Sequence, residues 1–403
     1  MLDFRFVNRF NLKPKFKKSY RFAKRSYLKR IRFSVSLFFF CMGLSFASWA
    51  SRIPEIKHNL GLTEGQLGTM LLALPLGQLV VMPFSGRLVT RFGSRRTAMF
   101  GLLIYAFCLT NLGLASEPWH LAVGLFSFGL FGNVSNIAVN TQGIYTETLL
   151  NKNVMSAFHG TWSLAGFTGA VVGLGMVALH MPPYYHFLVI LVFVILIILS
   201  SRKYLIKAKE KVKPVKKSFF AKPDKALVLL GIVGFCCKAS EGVMFDWSAI
   251  YFRDIVGAKG AFAVFGYASF MITMSLGRFI GDTLIAKLGR KRVLQYSGIL
   301  ISIGLFLSVL WPYLIASTLG FMLVGLGVAT IVPTVYSLAG RSTATSAAEA
   351  LTTVSSVSFL GFLLAPPVIG YIAEIADLRY SFAFIGIFGF LIAYLVTRMK
   401  NIA

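Results

Sequence analysis

A lysine and a glutamate, Lys238 and Glu241, lie one helical turn apart inside an otherwise apolar run. A carboxyl group in such surroundings can bind and release a proton, and a neighbouring ammonium group changes how tightly that proton is held. We predict that Glu241 exchanges protons and that Lys238 tunes its pKa. Asp246 is predicted to take part in proton exchange nearer the outer end of the same helix. The alternative is a permanent ion pair that fixes this helix in place.

Three asparagines, Asn133, Asn136 and Asn140, follow one another at spacings of three and four residues, so their amides share one face of a helix. Each amide both donates and accepts hydrogen bonds, which suits a hydroxyl-rich solute in a polar cavity. The same side chains could instead bond one helix to the next, a contact worth about 0.6 kcal/mol. The spacing alone supports both interpretations.

Aromatic and imidazole side chains add further candidates. His159 begins a predicted helix, with Trp162 one turn later on the cavity side. His159 is either a proton relay or a hydrogen-bonded imidazole at a helix end. Trp49 and Trp247 end two helices at corresponding positions, where a ring either anchors the helix at the membrane interface or stacks on a solute.

The elements that position these residues are membrane helices. The chain has 403 residues, of which 56% are hydrophobic and 14% are charged, and its mean hydropathy is +0.73. Apolar runs long enough to cross a hydrocarbon core of about 30 Å recur along it, which predicts an all-α membrane protein. We place twelve transmembrane helices at about 33–50, 66–86, 97–115, 118–143, 157–180, 184–202, 226–250, 261–282, 293–311, 313–340, 347–372 and 379–398.

The net charge of +27 is distributed unevenly among the loops of this topology. With the N-terminus inside, 35 of the 41 Lys and Arg residues fall on the inner side and five on the outer side. This bias predicts that both termini are cytoplasmic, and it accounts for most of the charge without a nucleic-acid partner. The sequence thus divides into a basic tail (1–32), a first six-helix bundle (33–202), a basic linker (203–225) and a second bundle (226–403).

The tail holds twelve Lys and Arg residues and one acid, Asp3, with aromatic residues between them. It could bind anionic lipid headgroups at the cytoplasmic face, each basic residue near the surface contributing about 1 kcal/mol. The alternative is a solvated tail that only fixes the orientation of the first helix.

The chain also contains an internal repeat with an offset of about 196 residues. The stretch 86–96 follows the second helix and the stretch 282–292 follows the eighth, and their basic and glycine positions align. Glycines 129 and 325 repeat at the same offset. The two bundles are therefore predicted to be pseudo-symmetric copies.

Each repeated stretch contains a glycine, Gly93 or Gly289, that allows the chain to leave a helix through a conformation closed to other residues. Basic residues around it are suited to the negative end of a helix dipole and to inner headgroups. The predicted gating turns consist of Gly86, Arg91, Gly93, Arg95, Arg96, Arg278, Asp282, Lys287, Gly289, Lys291 and Arg292.

Twelve helices in two halves, a basic central loop and a turn of the form Gly-x-Leu-x-x-Arg-x-Gly-x-Arg-Arg together resemble the major facilitator superfamily from about residue 33 onward. The stretches 49–57, 61–68 and 241–248 are similar to a bacterial branch close to the sugar permeases. In the family, the turn usually includes an acid that pairs across the inner gate. Thr90 and Ala286 stand at those places here, so we predict instead a pair between Arg278 and Asp282 in the second half.

The resemblance implies a secondary transporter with a solute site between the halves. We expect proton-coupled transport of a small polar, sugar-like solute across the bacterial cytoplasmic membrane, by a monomer. The absence of a Gly-Pro pair in the fifth helix, typical of exporters of the family, leans toward import. Two alternatives are an efflux carrier for amphipathic compounds and, from another class, a membrane sensor or scaffold that does not transport.

An enzyme is not expected, because the sequence has no Gly-x-Ser-x-Gly, His-Glu-x-x-His, Walker A or dinucleotide-binding motif. The four cysteines fall inside apolar runs, where they behave as small hydrophobic residues. We therefore predict neither a metal nor a cofactor.

Overall fold

The computed structural model describes residues 14–151, 154–207, 225–339 and 347–399, without the side chains of 14–25, Asp282 and a few others. Within these ranges the chain forms thirteen helices and no strand. They are α1 (Pro14–Asn59), α2 (Glu64–Phe92), α3 (Ser94–Leu112), α4 (Pro118–Leu150), α5 (Met155–Ala178), α6 (Pro183–Ser201), α7 (Lys225–Asp246), α8 (Ser248–Asp254), α9 (Phe262–Leu288), α10 (Arg290–Leu310), α11 (Leu314–Ala339), α12 (Ala347–Ile375) and α13 (Leu378–Arg398).

Twelve of these helices are the long ones predicted from the sequence, and α8 is a short addition. Eleven contain stretches long and apolar enough to cross a membrane. The twelfth, α3, has 19 residues and begins with Ser94, Arg95 and Arg96, which shortens its apolar part. The prediction of an all-α membrane fold is confirmed.

The first helix differs most from its prediction, because α1 begins at Pro14 instead of near residue 33 and continues to Asn59. Residues 14–32 are therefore helical and continuous with the first span, consistent with the good helix propensity of Lys and Arg. The rest of the predicted tail, residues 1–13, and most of the predicted linker, residues 208–224, lie outside the described part of the chain.

The two halves of the chain use the same helix pairings. In the first half α1 packs on α5, α2 on α4, and α3 on α4 and α6. In the second half α7 packs on α12, α9 on α11, and α10 on α11 and α13. The halves meet where α2 contacts α12 and where α5 contacts α9. This arrangement is the predicted pair of pseudo-symmetric six-helix bundles, with α8 inserted in the second.

Two of the repeated glycines show how close the packing is. Gly129 of α4 lies against the carbonyl oxygen of Leu74 in α2, and Gly325 of α11 lies against that of Phe270 in α9. Leu74 and Phe270 are themselves 196 residues apart. Small residues let helix backbones approach each other in a membrane, so the sequence repeat preserves the same contact in both halves.

The repeated turns also have the predicted backbone. Gly93 has φ 82° and Gly289 has φ 80°, and each ends one helix and precedes the next. We call the end of the molecule that carries these two turns the basic end, and the other end the opposite end. Arg91 and Lys287 lie in the last turns of α2 and α9, where a cation faces the negative helix terminus.

Lys291 binds the C-terminal carbonyl groups of a different helix from the one predicted. Its Nζ lies 3.2 Å from the carbonyl oxygens of Thr397 and Met399, at the C-terminal end of α13. The turn after α9 thus caps the last helix of the chain, because α10 and α13 are neighbours in the bundle.

The glycine contacts can be tested by substitution with alanine. A Cβ at Gly129 or Gly325 would collide with the facing carbonyl oxygen, and overpacking of this kind costs about 1–3 kcal/mol. We expect Gly129→Ala and Gly325→Ala to lower the midpoint of thermal unfolding in detergent by several degrees. Gly175→Ala is the control, since a Cβ there meets no atom within 4 Å. Unchanged midpoints for both test variants would contradict the close packing.

Candidate functional site

A cavity of about 670 Å³ lies between the two halves, which is within the usual range for a small-molecule site. Helices α1 to α5 contribute from the first half and α7, α9, α11 and α12 from the second. The polar and charged side chains that line it are Gln78, Tyr105, Asn136, Asn140, His159, Trp162, Lys238, Glu241, Arg278, Tyr336, Ser355 and Ser356. Six of the predicted site residues, and Arg278 from a predicted gating turn, are brought together here.

The cavity occupies the middle of the molecule and extends toward the basic end. Tyr336 lies in the last turn of α11 at that end, and His159 lies in the second turn of α5. His159 is exposed and packs against the ring of Phe39, with 5.4 Å between ring centroids. It therefore stands on the cavity wall, as the relay interpretation requires.

Glu241 is the centre of the site. It is 3% exposed, and each of its carboxylate oxygens accepts a hydrogen bond from a cation. Lys238 Nζ lies 2.5 Å from Oε2, and Arg278 Nη2 lies 2.9 Å from Oε1. Two cations on one carboxylate compensate the loss of hydration that burial imposes on it.

Arg278 extends this cluster into the first half of the molecule. Its Nη1 donates to Ser163 Oγ at 2.6 Å, and its guanidinium lies 5.8 Å from the ring centroid of Trp162. Ser163 and Trp162 belong to α5, whereas Glu241 belongs to α7. One arginine therefore links the buried carboxylate to the other bundle.

The sequence did not predict this role of Arg278. The pair with Asp282 stays a prediction, because the Asp282 side chain lies outside the described part of the structure, and the described hydrogen bonds of Arg278 go to Glu241 and Ser163. Glu241 and Arg278 are 37 residues apart, so helical spacing could not pair them. The available signal was a charge inside an apolar run, which is costly without a partner.

The three asparagines Asn133, Asn136 and Asn140 differ in their surroundings. Asn136 and Asn140 line the cavity, and Asn140 Nδ2 donates to Asn136 Oδ1 at 2.5 Å. Asn133 instead accepts a hydrogen bond of 2.8 Å from Ser85 Oγ, which joins α4 to α2. Asn133 thus serves helix packing, whereas the other two line the cavity.

The predictions for Trp49 and Trp247 were wrong. Both side chains are 0% exposed, and neither lines the cavity. α1 continues beyond Trp49 to Asn59, and α8 follows Trp247, so helices enclose both rings instead of ending there. Asp246 is the last residue of α7, and it is buried outside the cavity lining.

At the opposite end, a buried arginine organises part of the first half. Arg52 is 1% exposed and forms an ion pair with Glu55 on the same helix. Its Nε donates to His186 Nδ1 at 3.1 Å, and its Nη2 donates to the carbonyl oxygen of Met181 at 2.8 Å. These bonds tie α1 to the start of α6.

Polar contacts between the halves close the opposite end. Lys57 of α1 pairs with Glu64, and its Nζ lies 3.5 Å from an oxygen of Asp254 in α8. Arg253 donates to the carbonyl oxygen of Pro54, and it also pairs with Asp254 at 2.6 Å. The stretch 49–57 was noted in the sequence only for its resemblance to a bacterial branch, and no role was predicted for its charged residues.

Asp254 remains ionised in this cluster. Burial raises the pKa of Asp254, but hydrogen bonds and charges from Arg253 and Lys57 outweigh burial and hold the pKa of this carboxyl below its ordinary value.

A further contact between the halves joins Thr69 Oγ1 of α2 to the Tyr371 hydroxyl of α12 at 2.9 Å. The cavity is therefore shut off at the opposite end in this conformation.

Comparison with known proteins agrees with this architecture. The family model of the Major Facilitator Superfamily matches residues 34–347 and 248–401. An uncharacterized MFS-type transporter of Yersinia pestis is 31% identical over 349 residues, which cover 87% of this chain and 90% of that protein. An uncharacterized transporter of Sinorhizobium fredii, y4wD, is 31% identical over 367 residues, 90% of this chain and 96% of that one.

Among solved structures, a mutant of the nucleoside transporter NupG has a TM-score of 0.73 at 13% identity, over 92% of this chain and 100% of that chain. At this identity the likeness concerns the fold. The chain belongs to the major facilitator superfamily, and it is a transporter integral to a bacterial membrane.

The central ion cluster predicts a stability effect. Glu241→Gln would leave Lys238 and Arg278 inside the bundle without their shared buried carboxylate, and breaking a buried pair costs about 3–5 kcal/mol. We expect this variant to unfold at a clearly lower temperature in detergent. Adding Lys238→Met should restore part of the loss, because one unpaired cation is removed.

Glu117→Gln is the matched control, since Glu117 is exposed before α4, makes no side-chain hydrogen bond to cap that helix, and is expected to tolerate the change. If Glu241→Gln and Glu117→Gln unfold at the same temperature as the parent protein, the cluster has no structural role.

Proposed function

We propose that the protein is a proton-coupled secondary transporter that moves a small polar, sugar-like solute across the cytoplasmic membrane by alternating access. The observation that carries this proposal is the position of Glu241. It is an acid in the cavity between the halves, and Arg278 connects it to both of them. Ionisable residues inside membrane bundles commonly serve as ion and proton sites.

In the proposed cycle, protonation of Glu241 weakens its bonds to Lys238 and Arg278. Arg278 is then free to change its contact with Ser163 on α5, which alters the contact between the bundles. His159 stands on the cavity wall toward the basic end, where it can pass protons between that end and Glu241. Binding of a proton thereby biases the equilibrium between two arrangements of the halves.

The solute site is supported by the remaining cavity lining. The amides of Asn136 and Asn140 offer donors and acceptors for hydroxyl groups. The ring of Trp162 offers an apolar face on which the carbon face of a sugar can lie. We assign solute binding to these three residues.

The orientation of the protein follows from its charge. Since positive charge resists translocation, we infer that the basic end and both termini are cytoplasmic. In that orientation the described conformation faces inward, with the cavity extending toward the cytoplasm and the outer end closed. Residues 33–202 and 226–403 would move as the two bodies, 203–225 would link them, and 1–32 would contact anionic headgroups.

The aromatic part of the lining favours a second candidate, an efflux carrier for amphipathic compounds. Phe39, Phe46, Phe245, Phe359 and Phe362 contribute rings to the cavity wall. A screen by thermal unfolding against sugars, organic acids, amino acids and drugs separates the candidates, because a bound ligand raises the stability of the folded state.

Glu241→Gln should uncouple transport in proteoliposomes loaded with the solute found in that screen. We expect accumulation driven by a proton gradient to disappear, while exchange of solute between the two sides continues, because an amide cannot cycle a proton. Glu117→Gln serves as the control with an exposed carboxyl. Full proton-driven accumulation by Glu241→Gln would exclude Glu241 as the coupling residue.

Alternating access predicts that the opposite end must open. Cysteines at positions 69 and 371, whose native side chains are 2.9 Å apart, can be joined by a short, reducible bifunctional thiol reagent. The four native cysteines are buried and should not compete. We expect cross-linking to block transport and reduction to restore it, with the single variants Thr69→Cys and Tyr371→Cys unaffected. Transport at full rate by the cross-linked protein would refute the mechanism.

A further inference from the structure

The charges of the described side chains that line the cavity do not cancel. Among the described side chains that line it, the permanently charged ones are Lys238, Arg278 and Glu241, which leaves a net charge of +1. Asp246, the next acid along α7, is buried outside the lining. An uncompensated charge in a largely apolar bundle is costly, so the cavity is suited to a guest that carries one negative charge.

The exposure of the three side chains points the same way. Counting side-chain atoms alone, Glu241 is 4% exposed, whereas Lys238 is 28% and Arg278 is 21% exposed. The carboxylate therefore lies behind the cations, and the cations face the open space. A guest in the cavity meets positive charge first.

Both cations also retain free donors. Within the described part of the chain, Lys238 Nζ uses one of its three hydrogens on Glu241, and Arg278 uses its two terminal nitrogens on Glu241 and Ser163. The remaining N–H groups can bind a carboxylate at the same time. Hydrogen bonds between ionised groups are about twice as strong as neutral ones.

We propose that the transported solute is a small hydroxylated monocarboxylate, whose carboxylate binds Lys238 and Arg278 and whose hydroxyl groups bind Asn136 and Asn140. This inference rests on the proposed transport function and specifies its substrate class. A single negative charge matches the net charge of the cavity, whereas a neutral sugar leaves that charge uncompensated and an amino sugar adds to it.

Pairs of compounds that differ only in charge test the proposal. The thermal unfolding of the full-length protein is measured with hexuronates and aldonates, with the neutral parent hexoses, and with hexosamines, all at one ionic strength set by sodium chloride. We expect at least one uronate or aldonate to stabilise the protein at concentrations about tenfold lower than its parent sugar. Stabilisation by hexoses or hexosamines at equal or lower concentrations would overturn the proposal, as would no stabilisation by any of the anions.

Variants of Lys238 test the cause of the preference. Lys238→Gln leaves the Glu241–Arg278 pair, which is neutral overall, so the preference for the anion over its parent sugar should be lost. Lys238→Arg keeps the charge and should keep the preference. An unchanged preference in Lys238→Gln, or equal stabilisation by chloride alone, would show that the carboxylate is not recognised as proposed.

Proteoliposomes separate this inference from the transport function. A neutral hexose that accumulates with a proton gradient, without competition from uronates or aldonates, would overturn the monocarboxylate and leave the transporter intact. A uronate or aldonate that stabilises the protein but never accumulates in sealed vesicles would support the binding site and refute transport of that solute.

Discussion

The structure depends on how a carboxylate is kept inside a membrane bundle. Glu241 has lost nearly all contact with solvent, and in an apolar environment that would be prohibitive without compensation. Lys238 supplies one cation from the same helix, and Arg278 supplies the second from α9. Because Arg278 also donates a hydrogen bond to Ser163 in the first half, the carboxylate is coupled to the interface between the bundles.

The contacts between the two bundles differ at the two ends of the molecule. At the opposite end, charged and hydroxyl groups of the two halves bond directly, through Lys57, Arg253 and Thr69. Toward the basic end the two halves line the cavity, and Arg278 of α9 bonds to Ser163 of α5. In the proposed cycle each half keeps its internal helix pairings, while the contacts between the halves exchange.

The sequence predicted the features that depend on local spacing. Twelve helices, the helix-ending glycines at 93 and 289, and the pair between Lys238 and Glu241 all follow from residues that are near in the chain. The role of Arg278 depends on a partner 37 residues away, and no periodicity reveals that. Trp49 was misplaced for a related reason, because α1 extends beyond it to a segment whose Lys57 forms ion pairs with Glu64 of α2 and Asp254 of α8.

The division of polar groups between the halves suggests how occupancy and movement are connected. The described charged side chains of the cavity, Lys238, Glu241 and Arg278, all belong to the second half, while Asn136 and Asn140 belong to the first. A solute that needs both a charge and amides must therefore contact both bundles at once. Its binding free energy then depends on the distance between the bundles, and a ligand can shift a conformational equilibrium only through such a difference. Because the charges and the amides lie in different halves, the contacts that recognise the solute also draw the two halves together in the proposed cycle.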